Sequence, residues 1–456
     1  MSYELYVFWF TVKQAALSTL FTIPLGVLIA RAIVWNNTYK PAQICLKILG
    51  LPLITPALVG ILGFMSLASP FFNIYSLLGI IAVHVVVYSP FVALFMINAW
   101  RFIPEEHYRL SIQLHFSSVH VFKFVEVPQL RKPLLEISWV CFCLFLNSFT
   151  TIMILGGGPQ KTTLSVALYQ SFFFFYDSKQ GVNFASVQLL LTLSLAIFTI
   201  VFKVLPVGSS LKAPAFPNLS APFQKPIIWL AGMLVFLPLS VVIVPSLMIL
   251  PQTLCNPLLW KSFLKSLSLS LFIGPISVIL TLCLVRYETL FTKPLASLYL
   301  LVPPAFISTL LFIFSLKFPQ LSPEVFLIII QLFIILPFSF RLLRGPYTSL
   351  QAIYRPTAIS LGLSQWQRFH LIEGPLLKKP LATILGLGCA LSLGDFQSLA
   401  FFESPEIPGL SHLLYQQMVR QFDEGMGTAF ILLFLCFFLY QLPSWILRIY
   451  DRTLPA

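Results

Sequence analysis

Asp395 is the acidic residue lying deepest in an apolar stretch, within LSLGDF at 391–396. A charge at the bilayer centre costs about 2.5–3.5 kcal/mol on insertion scales, so such a carboxylate belongs on a bundle interior or a water-filled path. Two roles suit it. It could be the counter-ion of a positively charged cargo, or it could cap and join a broken helix, the role favoured by Gly394 beside it and by Ser148 at the equivalent place in an internal repeat. His84, in another apolar stretch, has no second His or Cys at metal-ligand spacing and reads as a neutral interior hydrogen-bonding residue. The seven cysteines form no CxxC pair; six lie in apolar spans and read as small buried hydrophobes. No metal site is expected. HExxH and GxSxG are absent and no His–carboxylate cluster converges, which argues against an intramembrane enzyme.

The residue types that stand out next occur twice. Residues 112–133 read IQLHFSSVHVFKFVEVPQLRKP and residues 359–380 read ISLGLSQWQRFHLIEGPLLKKP. At a constant shift of 247, Leu114 meets Leu361, His115 meets Gly362, Phe122 meets Phe369 and Glu126 meets Glu373, while Pro128 meets Pro375 and Pro133 meets Pro380. Both copies are polar, basic islands in an apolar chain. Each opens with a short helical pattern too apolar for a free loop and too short to span, which fits a helix on the membrane surface offering one face to a soluble protein. A loop that merely covered its own helix ends would have no reason to recur with the same Glu, Pro and Lys spacing. The segment Gly156–Thr162 is close to the phosphate-binding pattern G-x4-G-K-[ST], but Gln160 stands where the second Gly must admit backbone amides to phosphate. It reads as a turn ending a span.

The elements that position these residues are membrane helices. The chain has 456 residues, 58% hydrophobic and only 9% charged, whereas soluble domains carry about 25% charged residues. Its mean hydropathy is +0.91. The fold class is therefore an all-α integral membrane protein. Eleven spans are expected, near 10–33, 45–68, 76–99, 134–155, 182–205, 227–250, 261–285, 294–316, 325–342, 381–402 and 426–448. Threaded with both repeated loops on one side, that side collects 21 of the 28 Lys and Arg residues, so the loops are expected in the cytoplasm. The net charge of +13 follows from this bias and does not call for a nucleic-acid partner. No removable signal peptide is expected, since the first apolar stretch is full length and ends in Arg31 without a small-residue cleavage pattern.

The repeat extends beyond the loops. At a shift of 251, Trp9 meets Trp260, Phe21 meets Phe272, Pro24 meets Pro275 and Pro52 meets Pro303; at 246, Leu168-Tyr169-Gln170 meets Leu414-Tyr415-Gln416. Five spans correspond in order, giving two parallel pseudo-symmetric repeats. The domains expected are a first half, 1–205, with its loop at 101–133; a Pro-rich cytoplasmic linker, 206–226; and a second half, 227–456, with its loop at 343–380. The odd count leaves two readings open: a leading helix was lost, or the natural chain begins further upstream.

The loop pattern G-x6-F-x5-P-x4-P resembles the EAA loop of ABC importer permeases. The second copy matches through Gly362, Phe369, Pro375 and Pro380; the first matches through Phe122, Pro128 and Pro133, with His115 in place of Gly. Neither copy keeps Glu-Ala-Ala, the positions holding Arg109-Leu110-Ser111 and Pro356-Thr357-Ala358. Over most of its length the chain is similar to the thiamine-transport permeases, through LGGGPQKTT at 155–163, Tyr176-Asp177, LSLGDF at 391–396 and LYQQ at 414–417. The resemblance implies a type I importer permease fold in the bacterial inner membrane. It implies two copies of an ABC ATPase gripping the two loops, a periplasmic thiamine-binding protein on the outer face, and no cofactor in this chain, since ATP and Mg would sit on the partner subunits. On that reading Leu114, His115, Phe122, Glu126, Pro128, Pro133, Leu361, Gly362, Phe369, Glu373, Pro375 and Pro380 form the coupling loops. Asp395, Tyr169 and Tyr415 would line the path, the tyrosines by cation–π or stacking contact with a delivered ring or by packing on a neighbour. Thiamine or its phosphate esters are the implied cargo. Iron(III) permeases share the fused layout and are the alternative within the class. A proton-coupled secondary transporter is the alternative outside it, thinly supported by Asp395 and His84 and with no use for a paired docking loop.

Overall fold

The computed structural model describes residues 2–156, 158–201, 224–287, 303–403, 406–420 and 422–453. The expected linker lies almost wholly outside them, as does the start of the expected span 294–316. Among the described residues there is no strand, which is what lipid demands of a non-barrel chain: every backbone N–H and C=O has to be satisfied within its own segment. Among the described residues seven helices are long and apolar enough to cross a membrane, or eight if one broken pair counts as a single span. Every expected span falls on helix wherever it is described, and three of them are interrupted.

The chain divides into two compact units, Met1–Leu53 with Val59–Val244, and Ile54–Leu58 with Pro245–Ala456. In the first unit, α1 (Tyr3–Trp35) is followed by three shorter helices, α2 (Lys40–Ile48), α3 (Leu51–Ile54) and α4 (Ala57–Ala68). Then come α5 (Leu77–Trp100), α6 (Glu105–Gln113), α7 (Ser118–Val121), α8 (Val127–Leu146) and α9 (Thr150–Leu155). A hairpin of α10 (Leu164–Phe173) and α11 (Ser178–Val201) completes the series, before α12 (Lys225–Leu254), within which the boundary between the units falls. Ser2 and Ser76 cap α1 and α5 by accepting from Leu5 N and Gly79 N. The core of the unit is α1 packed along α5 and α8.

The second unit repeats this arrangement. Its helices are α13 (Pro257–Arg286), α14 (Pro304–Lys317), α15 (Pro323–Ser360), α16 (Gln365–Arg368), α17 (Gly374–Gly394), α18 (Phe396–Phe402), α19 (Leu410–Arg420) and α20 (Phe422–Thr453). Here α13 packs on α15 and α17, as α1 does on α5 and α8. Prolines recur inside the corresponding helices, Pro24 with Pro275 and Pro90 with Pro337. Gly386 lets the backbone of α20 at Tyr440 approach α17 closer than any Cβ would allow, the small-residue contact typical of membrane helices. Outward faces stay apolar: Phe21 and Phe272, equivalent in the repeat, are both 55% exposed.

Two features differ from the sequence expectation. The segment before the second loop is not a separate surface helix: α15 runs unbroken for 38 residues from its span to Ser360. The first copy breaks after Trp100 and restarts beyond Pro104; the second has Gln351 at that position and continues, in a helix that also passes through Pro337, Pro346 and Pro356 without a break. The cysteines are not all buried either. Cys45, Cys141, Cys143, Cys389 and Cys436 are, but Cys283 faces outward from α13 and is exposed with Cys255.

Candidate functional site

Each repeated loop folds into the same local structure, built by short-range rules. In the first unit α6 ends at Gln113 with Leu114 as C-cap, and His115 takes φ 52°. His115 N donates to Ile112 O at 3.0 Å and Phe116 N donates to Ser111 O at 2.9 Å. In the second, Leu361 caps α15 and Gly362 takes φ 66°; Gly362 N donates to Ile359 O at 3.0 Å and Leu363 N to Ala358 O at 3.1 Å. Both are Schellman closures, which satisfy the last carbonyls of a helix through one left-handed residue. The Gly/His difference in the motif is thus one backbone shape in two residue types. A side chain at positive φ costs about 1–2 kcal/mol, so the first loop is formed at a local cost that Gly362 avoids.

After that turn Ser117 and Ser364 cap the next helix. Ser117 Oγ accepts from His120 N, and Ser364 Oγ accepts from Gln367 N while Gln367 Oε1 accepts from Ser364 N at 2.9 Å, a full capping box. A widened π-turn follows at the same place in both copies, Phe122–Glu126 and Phe369–Glu373. Pro128 and Pro375 follow directly on the π-turn as the second residues of α8 and α17, and Pro133 and Pro380 lie further along the same helices.

Glu126 and Glu373 are both buried. Arg31 Nε donates to Glu126 Oε2 at 2.7 Å and Trp35 Nε1 donates to Oε1 at 2.6 Å. The second guanidinium nitrogen of Arg31 donates to Ser118 O at 2.8 Å, and the guanidinium lies 4.4 Å from the Trp35 ring centre and 4.9 Å from that of Phe122. Burial pushes the Tyr108 phenol up, and the Glu126 charge adds to it, with Arg31 opposing. Glu373 is held by Arg368 Nε and Gln351 Nε2, both 3.0 Å from Oε1, with Arg286 at 3.9 Å from Oε2. Arg286 also donates to Gln365 O at 3.4 Å.

Among the residues the loops turn outward are several large apolar ones. Leu114 and Leu361 are 55% and 68% exposed. Val119 and Trp366, equivalent in the repeat, are exposed to 72% and 70%. Phe116, His120 and Phe124 form one exposed ring cluster, with His120 stacked on Phe124 at 6.0 Å; in the other loop Trp366 packs on Phe369 and on His370 at 4.2 Å. Arg31, Trp35, Arg286 and Gln351 are site residues that the motif did not reveal. Their signal was faint: an Arg toward the C-terminal end of the first helix of each repeat, offset by 255 and not by the 251 that aligns those helices.

At the other end, each unit breaks the helix that follows its loop. Asp395 caps α18, its Oδ1 accepting from Ser398 N at 3.2 Å. The freed carbonyls find side chains: Gln331 Nε2 donates to Ser392 O at 3.2 Å and Ser411 Oγ to Leu393 O at 2.5 Å. In the first unit Gln14 Nε2 donates to Phe145 O at 2.7 Å, and His84 bridges Ser18 (2.9 Å) and Ser148 (3.0 Å) while stacked on Phe145. Tyr169 packs on Phe149 (5.5 Å) and Phe173 (4.8 Å), and Tyr415 packs on Phe396 (4.7 Å) beside His412. Both tyrosines therefore cover the phenylalanine just after the break. Lys161, in the segment that approximates a phosphate-binding pattern, donates Nζ to Tyr75 O at 2.7 Å.

Two helical bundles, each carrying a loop of the same local fold, fit a multi-pass transport permease, which opens a path and makes no bond. The chain is 31% identical over 475 residues to the thiamine transport system permease protein ThiP of Escherichia coli (strain K12), covering 96% of this chain and 88% of that protein. ThiP of Haemophilus influenzae is 32% identical over 94% of this chain and 86% of its own length, and ThiP of Brucella abortus (strain 2308) 30% over 95% and 86%. A maltose/maltodextrin transport system permease protein, MalF of Vibrio parahaemolyticus, is 26% identical over 174 residues, 34% of this chain. No protein-family model and no solved structure matches. The chain belongs to the family of thiamine transport system permease proteins.

Proposed function

We propose that this protein is the membrane-spanning permease of an ABC importer that brings thiamine, or its phosphate esters, across the bacterial inner membrane. A periplasmic binding protein delivers the cargo to the outer ends of the helices. Two copies of an ATPase subunit, which carry ATP and Mg, take up the two exposed apolar loop tips, and their closure drives a rigid-body alternation of access. The observation that carries this reading is the second occurrence of one loop fold, left-handed turn, Ser cap, π-turn and buried Glu, with an apolar tip left uncovered each time. Leu114, His115, Val119, Leu361, Gly362 and Trp366 are the contact residues proposed on those tips. Phe122, Phe369 and the four prolines shape the tips from behind.

The test is uptake of labelled thiamine into proteoliposomes holding the permease with its ATPase and binding protein. ATP-dependent accumulation that needs all three components is the expected result. Uptake that proceeds without the ATPase would contradict it. Substitution of Val119 and Trp366 by Asp should release the ATPase while leaving the chain folded, since both side chains are exposed.

A further inference from the structure

Neither carboxylate in the repeated motif is exposed, so neither is explained by contact with a partner. Both are met instead by an arginine from the first long helix of the same unit. Arg31 of α1 reaches Glu126 at 2.7 Å, and Arg286 of α13 lies 3.9 Å from Glu373. Each arginine also donates to the carbonyl of the first residue of the loop's short helix, Ser118 O at 2.8 Å and Gln365 O at 3.4 Å. Those two acceptors are equivalent at the loop shift of 247, yet the arginines are offset by 255, one helical turn from the register that aligns their helices. The same contact is thus built twice from residues that sequence register does not pair.

We propose that Arg31–Glu126 and Arg286–Glu373 are the joints through which movement of each loop is transmitted to the first helix of its half, making these four positioning residues of the transport cycle. A two-pronged guanidinium holds a carboxylate and a carbonyl in one fixed geometry, so the loop cannot rotate without carrying the helix. The physical warrant is a contiguous rigid contact between the loop and a helix running the width of the unit. Trp35 strengthens the first joint by donating to Glu126 and stacking under Arg31. The second is looser, because Arg368 from the loop itself takes the nearer place on Glu373.

This inference rests on the ATPase-driven reading, and the experiment separates the two. The complete complex is reconstituted with its ATPase and binding protein, and thiamine transported per ATP hydrolysed is measured for Glu126→Gln and for Arg31→Gln/Glu126→Gln, alongside yield of assembled complex. A failed ATPase reading shows in the unaltered protein, which would neither bind the ATPase nor hydrolyse ATP. If the joint transmits movement, both variants assemble to within twofold of the unaltered yield, yet transport per ATP drops at least fivefold. Arg31→Lys, which keeps the charge but not the fork, should recover part of that loss. Arg286→Gln should lower the ratio about twofold. A ratio unchanged in assembled Glu126→Gln and double-variant complexes overturns the proposal. So does failure of both variants to assemble, because the pair is then structural only.

Discussion

The first and second loops reach one shape by different means. The first forces His115 into a left-handed turn, interrupts its leading helix at Pro104, and anchors its buried glutamate to α1 through Arg31 and Trp35. The second uses Gly362, continues α15 without a break, and satisfies its glutamate mostly from within, through Arg368 and Gln351. The first loop is locally strained and externally clamped, while the second is locally relaxed and loosely clamped. When one fold is kept through different residues, the constraint lies on the shape presented to the outside and on the link to the first helix, and less on the individual contacts.

The largest expected effect sharpens that contrast. Glu126→Ala leaves Arg31, only 12% exposed at its side chain, without a counter-charge; stranding a buried partner costs about 3–5 kcal/mol. Glu373→Ala should cost less, because Arg286 and Arg368 are more exposed, at 24% and 19%. Thermal unfolding of the two purified variants in detergent measures the difference, and equal losses would remove the distinction between a tight and a loose joint.

Next in size is Gln351→Pro, which transplants the break of the first copy into the second. It removes an interior helix N–H at a cost of about 3 kcal/mol and also takes away a donor to Glu373. Proteolysis between α15 and the loop should accelerate, and resistance equal to the unaltered protein would show that the unbroken helix carries no stability.

The turn residues come third. Gly362→Ala places a Cβ at φ 66° and should destabilise the second loop by about 1–2 kcal/mol, while His115→Gly should relieve a similar strain in the first, less the entropy glycine adds to the unfolded chain. Opposite signs in hydrogen-exchange protection of the two loops are the expected outcome; like signs would contradict the strain argument.

The smallest effect concerns the helix break. Asn caps a helix about as well as Asp, so Asp395→Asn should leave stability and uptake nearly unchanged, whereas Asp395→Ala should cost about 0.5–2 kcal/mol. Loss of thiamine affinity in Asp395→Asn would instead restore the counter-ion role.

Much of this architecture was legible in the sequence. Apolar runs of bilayer length located the helices, since lipid leaves the backbone little choice, and the shift of 247 aligned the loops through Phe122, Pro128 and Pro133 with their counterparts. The His115/Gly362 mismatch looked like a departure from the motif, yet residue type does not reveal φ, and the two share one turn. The roles of Arg31 and Arg286 were hidden because pairing across about 80–95 positions of chain depends on which helix faces pack, and their offset breaks the repeat. In sequence they register only as positive charges at the ends of spans. The break at Asp395 was suggested by Gly394, but the side chains that satisfy the freed carbonyls, Gln331 and Ser411, come from distant helices and follow only from packing.

Both loop tips are proposed to lie on the cytoplasmic side and to accept the ATPase. Val119→Cys and Trp366→Cys, each in a chain whose exposed Cys255 and Cys283 are replaced by Ala, can be labelled with a membrane-impermeant maleimide in right-side-out and inside-out vesicles. Both positions should react only in inside-out vesicles, and bound ATPase should slow both reactions at least tenfold. Labelling of either cysteine from the outer face, or labelling at both that the ATPase does not slow, would contradict that proposal.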